Sequence, residues 1–292
     1  MRKETSPGTV LRKHGQFRDI WRRLCRNKLA VWGLVMLALL ILLAVFAGFI
    51  APYPYDLQDY SSTSQFPSFK HPMGTDNFGR DILSRVIYGT RISLLIGFIS
   101  LSVGALSGSI LGAIAGFFGG LADTIIMRIT DILMSIPRTI FAIAIATTLG
   151  PGLANAMIAV AVSSIPNFAR VVRASTLTVK DQEYVEAARA IGCSHARIII
   201  RYIFPNVMAP IIVQATLGVG TAIILAASLS FLGLGIQPPT PEWGAMLSSA
   251  RTFIRDQWYM VAFPGLAIMI TVLALNLFGD GLRDALDPKL KK

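Results

Sequence analysis

Hydrophobic residues in this sequence come in blocks that are long enough to cross a lipid bilayer. Residues 30–50 form 21 consecutive positions without a charged side chain, and a hydrocarbon core of ~30 Å needs about 20 helical residues. Five more blocks have the same character. The pattern therefore predicts an all-α membrane protein with six transmembrane helices. The predicted spans are 29–51, 92–118, 124–149, 153–172, 207–233 and 259–279.

The segment before the first span has a different, amphipathic pattern. Apolar residues recur at i, i+3, i+4 and i+7, with arginines between them, which predicts a short helix lying in the inner headgroup layer. The alternative is a disordered basic tail. The apolar positions are Phe17, Ile20, Trp21 and Leu24. The first span exceeds the 7–15 apolar residues typical of a signal peptide and follows 28 mostly polar residues, so we predict a retained signal anchor.

Composition supports a membrane location and argues against nucleic acid as a partner. Hydrophobic residues make up 53% of the chain and charged residues 15%, whereas soluble domains contain about 25% charged residues. The net charge is +11, but the cations flank apolar spans instead of forming a basic stripe with aromatic residues.

The positions of the cations predict the orientation in the membrane. Of the 27 Lys and Arg, 20 lie in segments that are cytoplasmic if the N-terminus is inside, six lie in external segments, and Arg138 falls within the third span. This bias favours cytoplasmic N- and C-termini. The cytoplasmic segments are 1–28, 119–131, 170–206 and 280–292, and the external segments are 52–91 and 235–258.

The sequence lacks the residues that several kinds of chemistry require. No phosphate-binding loop of the type GxxxxGK[ST] occurs. The middles of spans one, two, five and six contain no acid or base for a proton relay. Cys25 and Cys193 match no metal spacing and are expected to be free thiols in the reducing cytoplasm. All three histidines lie outside the spans, so a membrane-embedded catalytic set is not expected. These are His14, His71 and His195.

The second and third spans carry distinct packing signals. Glycines at every fourth position of the second span predict a groove in which another helix backbone approaches closely. Two alternatives fit: that helix belongs to this chain, or it belongs to another. The glycines are Gly104, Gly108, Gly112 and Gly116. In the third span, Arg128 and Asp131 share a face near the cytoplasmic end, where they can pair or reach water. Pro137 is expected to kink the third span and Pro166 the fourth.

The two external segments are longer than simple connectors require. The pairs Asp76/Arg80 and Asp81/Arg85 have i, i+4 spacing, which predicts a short helix in the first loop. The second loop contains several prolines before Glu242 and Trp243. Two roles fit both loops: covering the outer mouth of the protein, or docking a soluble partner. The residues predicted for docking are Asp76, Arg80, Asp81, Glu242 and Trp243.

The cytoplasmic segment 173–206 is the most informative part of the sequence. An acidic start at Asp181 and a stop at Gly192 predict a short helix. A second helix is expected to end before Pro205, because proline disfavours helix in the residue before it. Small residues such as Ala187 and Ala188 give the first helix a surface that fits a cleft of another protein.

This segment resembles the EAA loop of bacterial ABC importer permeases. Glu186-Ala187-Ala188, then Gly192, and Pro205 thirteen residues later match its spacing, although Tyr202-Ile-Phe-Pro205 stands where the family has Ile-x-Leu-Pro. The resemblance implies a coupling helix that docks into a groove of an ATP-hydrolysing subunit. The residues assigned to that contact are Glu186, Ala187, Ala188, Arg189, Gly192 and Pro205.

Three other stretches are similar to the C-type permeases of dipeptide, oligopeptide and nickel importers: Gly74–Asp81, Pro238–Gly244 and Gly279–Pro288. The resemblance implies a type I importer permease in the bacterial inner membrane, with a cytoplasmic tail at 1–28, a permease domain at 29–279 and a second tail at 280–292. The implied partners are a second homologous permease, two ATP-binding subunits, an extracytoplasmic binding protein, a peptide substrate and membrane lipid. ATP and Mg would bind those partners, and no cofactor is expected on this chain.

Other interpretations of the substrate and of the function also fit the sequence. Glutathione or a nickel chelate could replace peptide as substrate. A secondary transporter would need buried titratable groups or an inverted repeat, and neither is evident. A membrane enzyme and a non-transporting assembly subunit are further alternatives. The residues along the substrate path are unknown; the fifth span offers small residues that fit either a path or close packing. These are Gly218, Gly220, Ser228 and Ser230.

Overall fold

The computed structural model describes residues 16–286, and within them the backbone is almost entirely helical. Its β-type pairing is limited to an isolated bridge between Thr75 and Asp81. Residues 1–15 and 287–292 of the predicted tails 1–28 and 280–292, with His14 and Pro288, lie outside the described residues. The helices of the first half are α1 (Gln16–Arg26), α2 (Lys28–Val45), α3 (Ala47–Ile50), α4 (Ile82–Phe118), α5 (Gly120–Ser135) and α6 (Arg138–Leu149). Those of the second half are α7 (Leu153–Val179), α8 (Glu183–Ala190), α9 (His195–Ile198), α10 (Phe204–Phe231), α11 (Trp243–Ala250) and α12 (Tyr259–Leu286).

Within residues 16–286, five helical segments are long and apolar enough to cross a membrane. They are α2, α4, α7, the continuous segment His195–Phe231 and α12. The pair α5 and α6 provides a sixth span if the two are counted together. The predicted all-α class is confirmed, and each predicted span overlaps one of these segments.

The third span is broken, which corrects the expectation of a kink. α5 and α6 meet at an angle of 94°. Ile136, immediately before Pro137, has an extended backbone (φ −89°, ψ 130°). The proline ring disfavours helical backbone in the preceding residue, and proline supplies no N–H for the ladder. Pro166, in contrast, lies inside the uninterrupted helix α7.

Packing between α4 and α7 forms the centre of the molecule. The four glycines of the second span all face α7, so the groove is used within this chain. A Cβ atom at Gly104 would lie 2.7 Å from the carbonyl oxygen of Ala161, and one at Gly108 would lie 2.6 Å from that of Ile165. The other two, Gly112 and Gly116, face Val172 and Thr176 in the same way. These distances allow only glycine without a shift of the backbone.

The amphipathic segment before the first span is confirmed as helix α1. Leu24 is buried in a small cluster with Ala30 and Ala285, and Ile20 packs against it. Trp21 on the other side is exposed. The helix therefore rests on α12 through its apolar face. The side chain of Phe17 lies outside the described part of the chain.

The structure corrects the short helix predicted in the first loop and the bounds of two predicted spans. α4 begins at Ile82, ten residues before the predicted second span, and residues 76–80 form turns instead of a helix. Asp81 caps α4 by accepting a hydrogen bond from the Ser84 amide (2.8 Å). The fourth span continues to Val179, seven residues beyond its predicted end. The acidic residue of the third span, Asp131, pairs with Arg170 (2.6 Å) instead of Arg128.

Candidate functional site

Helix α8 is held against the ends of the long helices by a few buried apolar side chains. Val185 and Ala188 are buried together with Ile198, Ile203 and Val207. The same cluster includes Phe117 of α4 and Val172 of α7. α8 therefore belongs to one apolar cluster that also contains residues of α4, α7 and the segment His195–Phe231.

Gly192 ends α8 in the way the sequence predicted. Its φ of +78° is in the left-handed region, which costs a residue with a side chain about 1–2 kcal/mol. The Gly192 amide donates to the Arg189 carbonyl (3.0 Å), and the Cys193 amide donates to the Ala188 carbonyl (3.1 Å). This pair of bonds is a Schellman motif, and it satisfies carbonyls that a helix end leaves free. Space is open around a Cβ at Gly192.

The other side of α8 is exposed and mainly apolar. Tyr184, Ala187 and Ile191 lie beside the buried stripe, and 76% of Ile191 is exposed. Glu186 is exposed at the edge of this face. The Arg189 guanidinium lies 5.2 Å from the centre of the Phe117 ring, a cation–π contact that ties α8 to α4. We call Tyr184, Glu186, Ala187 and Ile191 the α8 face.

Pro205 does not end a helix, contrary to prediction. Residues Ile199–Ile203 form a π-helical turn, and the helix continues through Phe204–Phe231. The wider turn lets the Phe204 amide bond to the Ile199 carbonyl, five residues back. The Asn206 side chain donates to the Tyr202 carbonyl (2.6 Å). The π-turn widens the helix before the proline, and these two bonds satisfy the carbonyls of Ile199 and Tyr202, so the helix continues past Pro205.

At the opposite end of the molecule, residues 52–81 and 235–258 pack together as a cap over α4. The Asp76 carboxylate accepts from Arg80 Nε (2.6 Å), and His71 Nδ1 lies 2.9 Å from Asp81 Oδ1. Trp243 donates its indole N–H to the Val86 carbonyl (3.1 Å) and is fully buried. Arg85 joins the two loops, because it donates to the carbonyls of Tyr55 in the first loop (2.9 Å) and Pro239 in the second (3.2 Å).

Glu242 is another buried residue of the cap. It is 1% exposed and caps α11 by accepting from the amides of Gly244 (2.9 Å) and Ala245 (2.8 Å). Burial raises the pKa of its carboxyl, and the two backbone hydrogen bonds oppose that change.

The five residues predicted for docking are therefore internal supports of the cap. Arg80, Asp81, Glu242 and Trp243 are buried, and the Asp76 side chain is 14% exposed. Their side chains do not form a contact surface. The prediction that the cap receives a soluble partner now concerns its outer residues and stays a prediction.

A polar cavity of about 240 Å³ lies between α4, α6, α7 and α10. Arg138 lines it with the side chains of Asn167, Gln214 and Thr221. Gly218 of the fifth span borders the cavity, whereas Gly220 faces α12, Ser228 is exposed and Ser230 is buried. The sequence signal for this site was a single one, the arginine inside an apolar span. The residues around it come together only in the fold.

Within residues 16–286, no group of three His, Cys, Asp or Glu is arranged to hold a metal ion. Cys25 and Cys193 are free thiols.

Comparison with known proteins places the chain in a transport family. Residues 108–292 match the model of the binding-protein-dependent transport system inner membrane component, and residues 15–72 match the N-terminal TM domain of oligopeptide transport permease C. The chain is 48% identical over 275 residues to the dipeptide transport system permease protein DppC of Alkalihalophilus pseudofirmus, covering 94% of this chain and 90% of that protein. It is 50% identical over 274 residues to the glutathione transport system permease protein GsiD of Escherichia coli, with the same coverage.

Solved structures agree on the fold. An inward-facing MetNI methionine ABC transporter chain superposes with a TM-score of 0.56 at 20% identity, covering 70% of this chain and 96% of that chain. An amino acid ABC transporter chain gives a TM-score of 0.52 at 15% identity, covering 69% and 94%. At these identities the likeness establishes the type I importer fold.

Proposed function

The chain belongs to the family of inner membrane components of binding-protein-dependent transport systems, and we propose that it is the permease subunit that carries short peptides in an ATP-driven importer. A multi-pass permease of this family works with ATPase subunits and a binding protein. The observation that carries the proposal is the α8 face, an exposed and mainly apolar surface on a helix that shares one apolar cluster with three spans.

The α8 face supports a docking role in preference to a purely structural one. Val185 and Ala188 already attach α8 to the bundle, so Tyr184 and Ile191 are not needed for that packing. Exposed apolar residues in a cluster mark protein contacts. The resemblance to the EAA loop of bacterial ABC importer permeases implies that this contact is with the ATP-hydrolysing subunit. Glu186, Ala187, Arg189 and Gly192 would then form the coupling contact, with Pro205 and its π-turn setting the direction of the helix behind it.

The mechanism follows from how α8 is held. Two ATPase subunits bind ATP and Mg and close, and this movement shifts α8. Because α8 shares one apolar cluster with α4, α7 and α10, the shift is transmitted to these helices as a rigid unit. A second homologous permease completes the path, and a binding protein delivers substrate at the cap. Chemistry takes place in the partners, and this chain binds no cofactor and supplies the gate.

Short peptides are the substrate class that best fits the relatives. One relative is named for dipeptide and another for glutathione, at 48% and 50% identity. The two substrates share peptide-like amides and free carboxylates. A nickel chelate remains the alternative that the family resemblance allows.

Co-purification tests the proposal directly. The chain is tagged in its host, membranes are extracted in mild detergent, and the proteins recovered are identified by mass spectrometry. We expect a second permease and one or two ATPases. An Ile191→Glu variant should lose the ATPases and keep the second permease, whereas Phe69→Glu, at a fully exposed cap residue, should keep both.

Transport then tests the substrate. The purified complex in proteoliposomes, with its binding protein, should accumulate labelled dialanine or glutathione when ATP is supplied. A chain that purifies alone and moves solute without ATP would overturn the proposal and favour a secondary transporter.

A further inference from the structure

Arg138 is placed close to the middle of the membrane, at the break between α5 and α6. It contacts Ser164, which lies eleven residues after the start of α7, and Thr221, ten residues before the end of α10. At a rise of 1.5 Å per residue both are about 16 Å from the cap ends of their helices, or half of a ~30 Å core. A cation at this depth is costly and marks a functional site by default.

Among residues 16–286, the groups that bond to the guanidinium are all hydroxyls. Arg138 Nη2 donates to Ser164 Oγ (2.7 Å), with longer contacts from Nη1 to Thr221 Oγ1 (3.4 Å) and from Nε to Ser163 Oγ (3.5 Å). Each of these hydroxyls donates its own hydrogen to a carbonyl of its helix, so its oxygen is turned to accept from Arg138. The cradle therefore fixes the position of the guanidinium.

No carboxylate neutralises this arginine within residues 16–286. The arginines that pair with acids there are Arg80, Arg85, Arg170 and Arg173. A guanidinium has five N–H donors, and only one of its hydrogen bonds here is short. Donors are thus left for an acceptor that enters the cavity, and a carboxylate fits their geometry in a bidentate manner.

The remaining walls of the cavity suit a small polar solute. Asn167 and Gln214 supply amides, Leu101 and Phe168 supply apolar surface, and the volume is about 240 Å³. The N-terminus of α6, which begins at Arg138, has no side-chain cap and adds its positive end to the same region.

We propose that Arg138 and its hydroxyl cradle form a carboxylate-binding site in the translocation path, which takes the C-terminal carboxylate of the peptide during passage. This inference rests on the proposed function. No acid of the described residues competes for the arginine, so the carboxylate can bind to it. Among these residues the arginine is the one charged group of the cavity lining, so the carboxylate can also leave again. The other source of the same chemistry is an acidic side chain of the second permease, and the experiment separates the two.

The test uses the complete complex in proteoliposomes, with the binding protein saturated by dialanine or by its C-terminal amide. Uptake of each probe is measured for the wild type, for Arg138→Gln and for a control, Arg128→Gln, which alters an exposed arginine ten residues earlier in the same span. Because the binding protein is the same throughout, a change in the acid-to-amide ratio belongs to the membrane subunit.

We expect Arg138→Gln to lower dialanine uptake, and the acid-to-amide ratio with it, by about tenfold, the usual size for loss of a charged hydrogen bond. Amide uptake, ATP hydrolysis and recovery of the second permease should stay within about twofold of the wild type, and Arg128→Gln should leave the ratio unchanged. An unchanged ratio in Arg138→Gln overturns the inference, as does equal loss of both probes with loss of the second permease, which would assign Arg138 to an ion pair between subunits.

Charge rescue provides an independent readout. In a chain with Cys25→Ser and Cys193→Ser, the Arg138→Cys variant is treated with aminoethyl methanethiosulfonate, which restores a positive charge, or with the neutral methyl reagent. Only the cationic reagent should restore dialanine uptake, and restoration by both or by neither overturns the inference. A wild-type complex that moves neither dialanine nor glutathione would instead count against the proposed function itself.

Discussion

At the residue scale, backbone conformation and burial together decide which substitutions each position of the EAA-like stretch tolerates. Gly192 has a left-handed backbone and open space, so its requirement is conformational. Ala187 and Ala188 are adjacent in sequence but differ in environment, since Ala188 is buried and Ala187 is exposed. The motif alone treats these three residues as equivalent, and the fold separates them.

Substitution of Gly192 by aspartate should abolish transport. The change strains the backbone by about 1–2 kcal/mol and adds a charge next to the α8 face. Gly150→Asp is the matched control, because Gly150 has φ +85° with open space at the end of α6. Both variants should reach the membrane, and uptake with ATP should be lost only in Gly192→Asp. Normal uptake in that variant would contradict the coupling assignment.

The two alanines should respond differently to the same substitution. Ala187→Asp places a charge on an exposed face, so we expect a normal amount of chain in the membrane but loss of the co-purified ATPases. Ala188→Asp buries a carboxylate in an apolar cluster at a cost of roughly 2 kcal/mol or more, so the amount of folded chain should fall. Quantitative immunoblots and pull-downs distinguish the two, and identical behaviour would refute this division of roles.

At the element scale, interruptions in helices determine the architecture around the site. Pro137 breaks the third span by 94°, whereas Pro166 and Pro205 lie within continuous helices. Residue type does not separate these cases. Their outcome depends on whether packing or a π-turn compensates for the missing amide. The break at Pro137 places Arg138 beside Ser164 of α7 and Thr221 of α10.

The glycine groove of α4 should not tolerate larger side chains. Gly108→Leu forces atoms into the Ile165 carbonyl and Phe168, which overpacks the α4–α7 contact at a cost of about 1–3 kcal/mol. Gly265→Leu, at a helical glycine of α12 with open space, is the control. Thermal unfolding of the detergent-solubilised protein should show a lower midpoint for Gly108→Leu alone. Equal midpoints would show that α4 and α7 can separate without penalty.

At the scale of the whole molecule, the cap and α8 lie at opposite ends of the bundle. The cap surrounds the first turns of α4, and α8 packs near Phe117 at its last turn. The distribution of Lys and Arg predicts that the α8 end is cytoplasmic. Because the two ends should face opposite sides of the membrane, the orientation of the chain can be tested by labelling each end.

Cysteine labelling should find the two ends on different sides of the membrane. In a chain with Cys25→Ser and Cys193→Ser, we introduce Phe69→Cys in the cap or Ile191→Cys on α8, both at exposed positions. A membrane-impermeant maleimide added to spheroplasts should label only the Phe69→Cys variant. Both should react after the membrane is permeabilised. Labelling of the Ile191→Cys variant in sealed spheroplasts would reverse the topology.

Features that depend on local chemistry could be predicted from the order of the amino acids. Apolar block length gave the spans, the left-handed requirement at Gly192 gave the end of α8, and the apolar spacing around Leu24 gave α1, because each depends on neighbouring residues along one helix. Three other features became visible only in the folded protein. The glycines of α4 face α7, Glu242 and Trp243 are internal supports of the cap, and Arg138 lies among hydroxyls from two other helices. These depend on contacts between residues distant in sequence, whose partners no local pattern specifies.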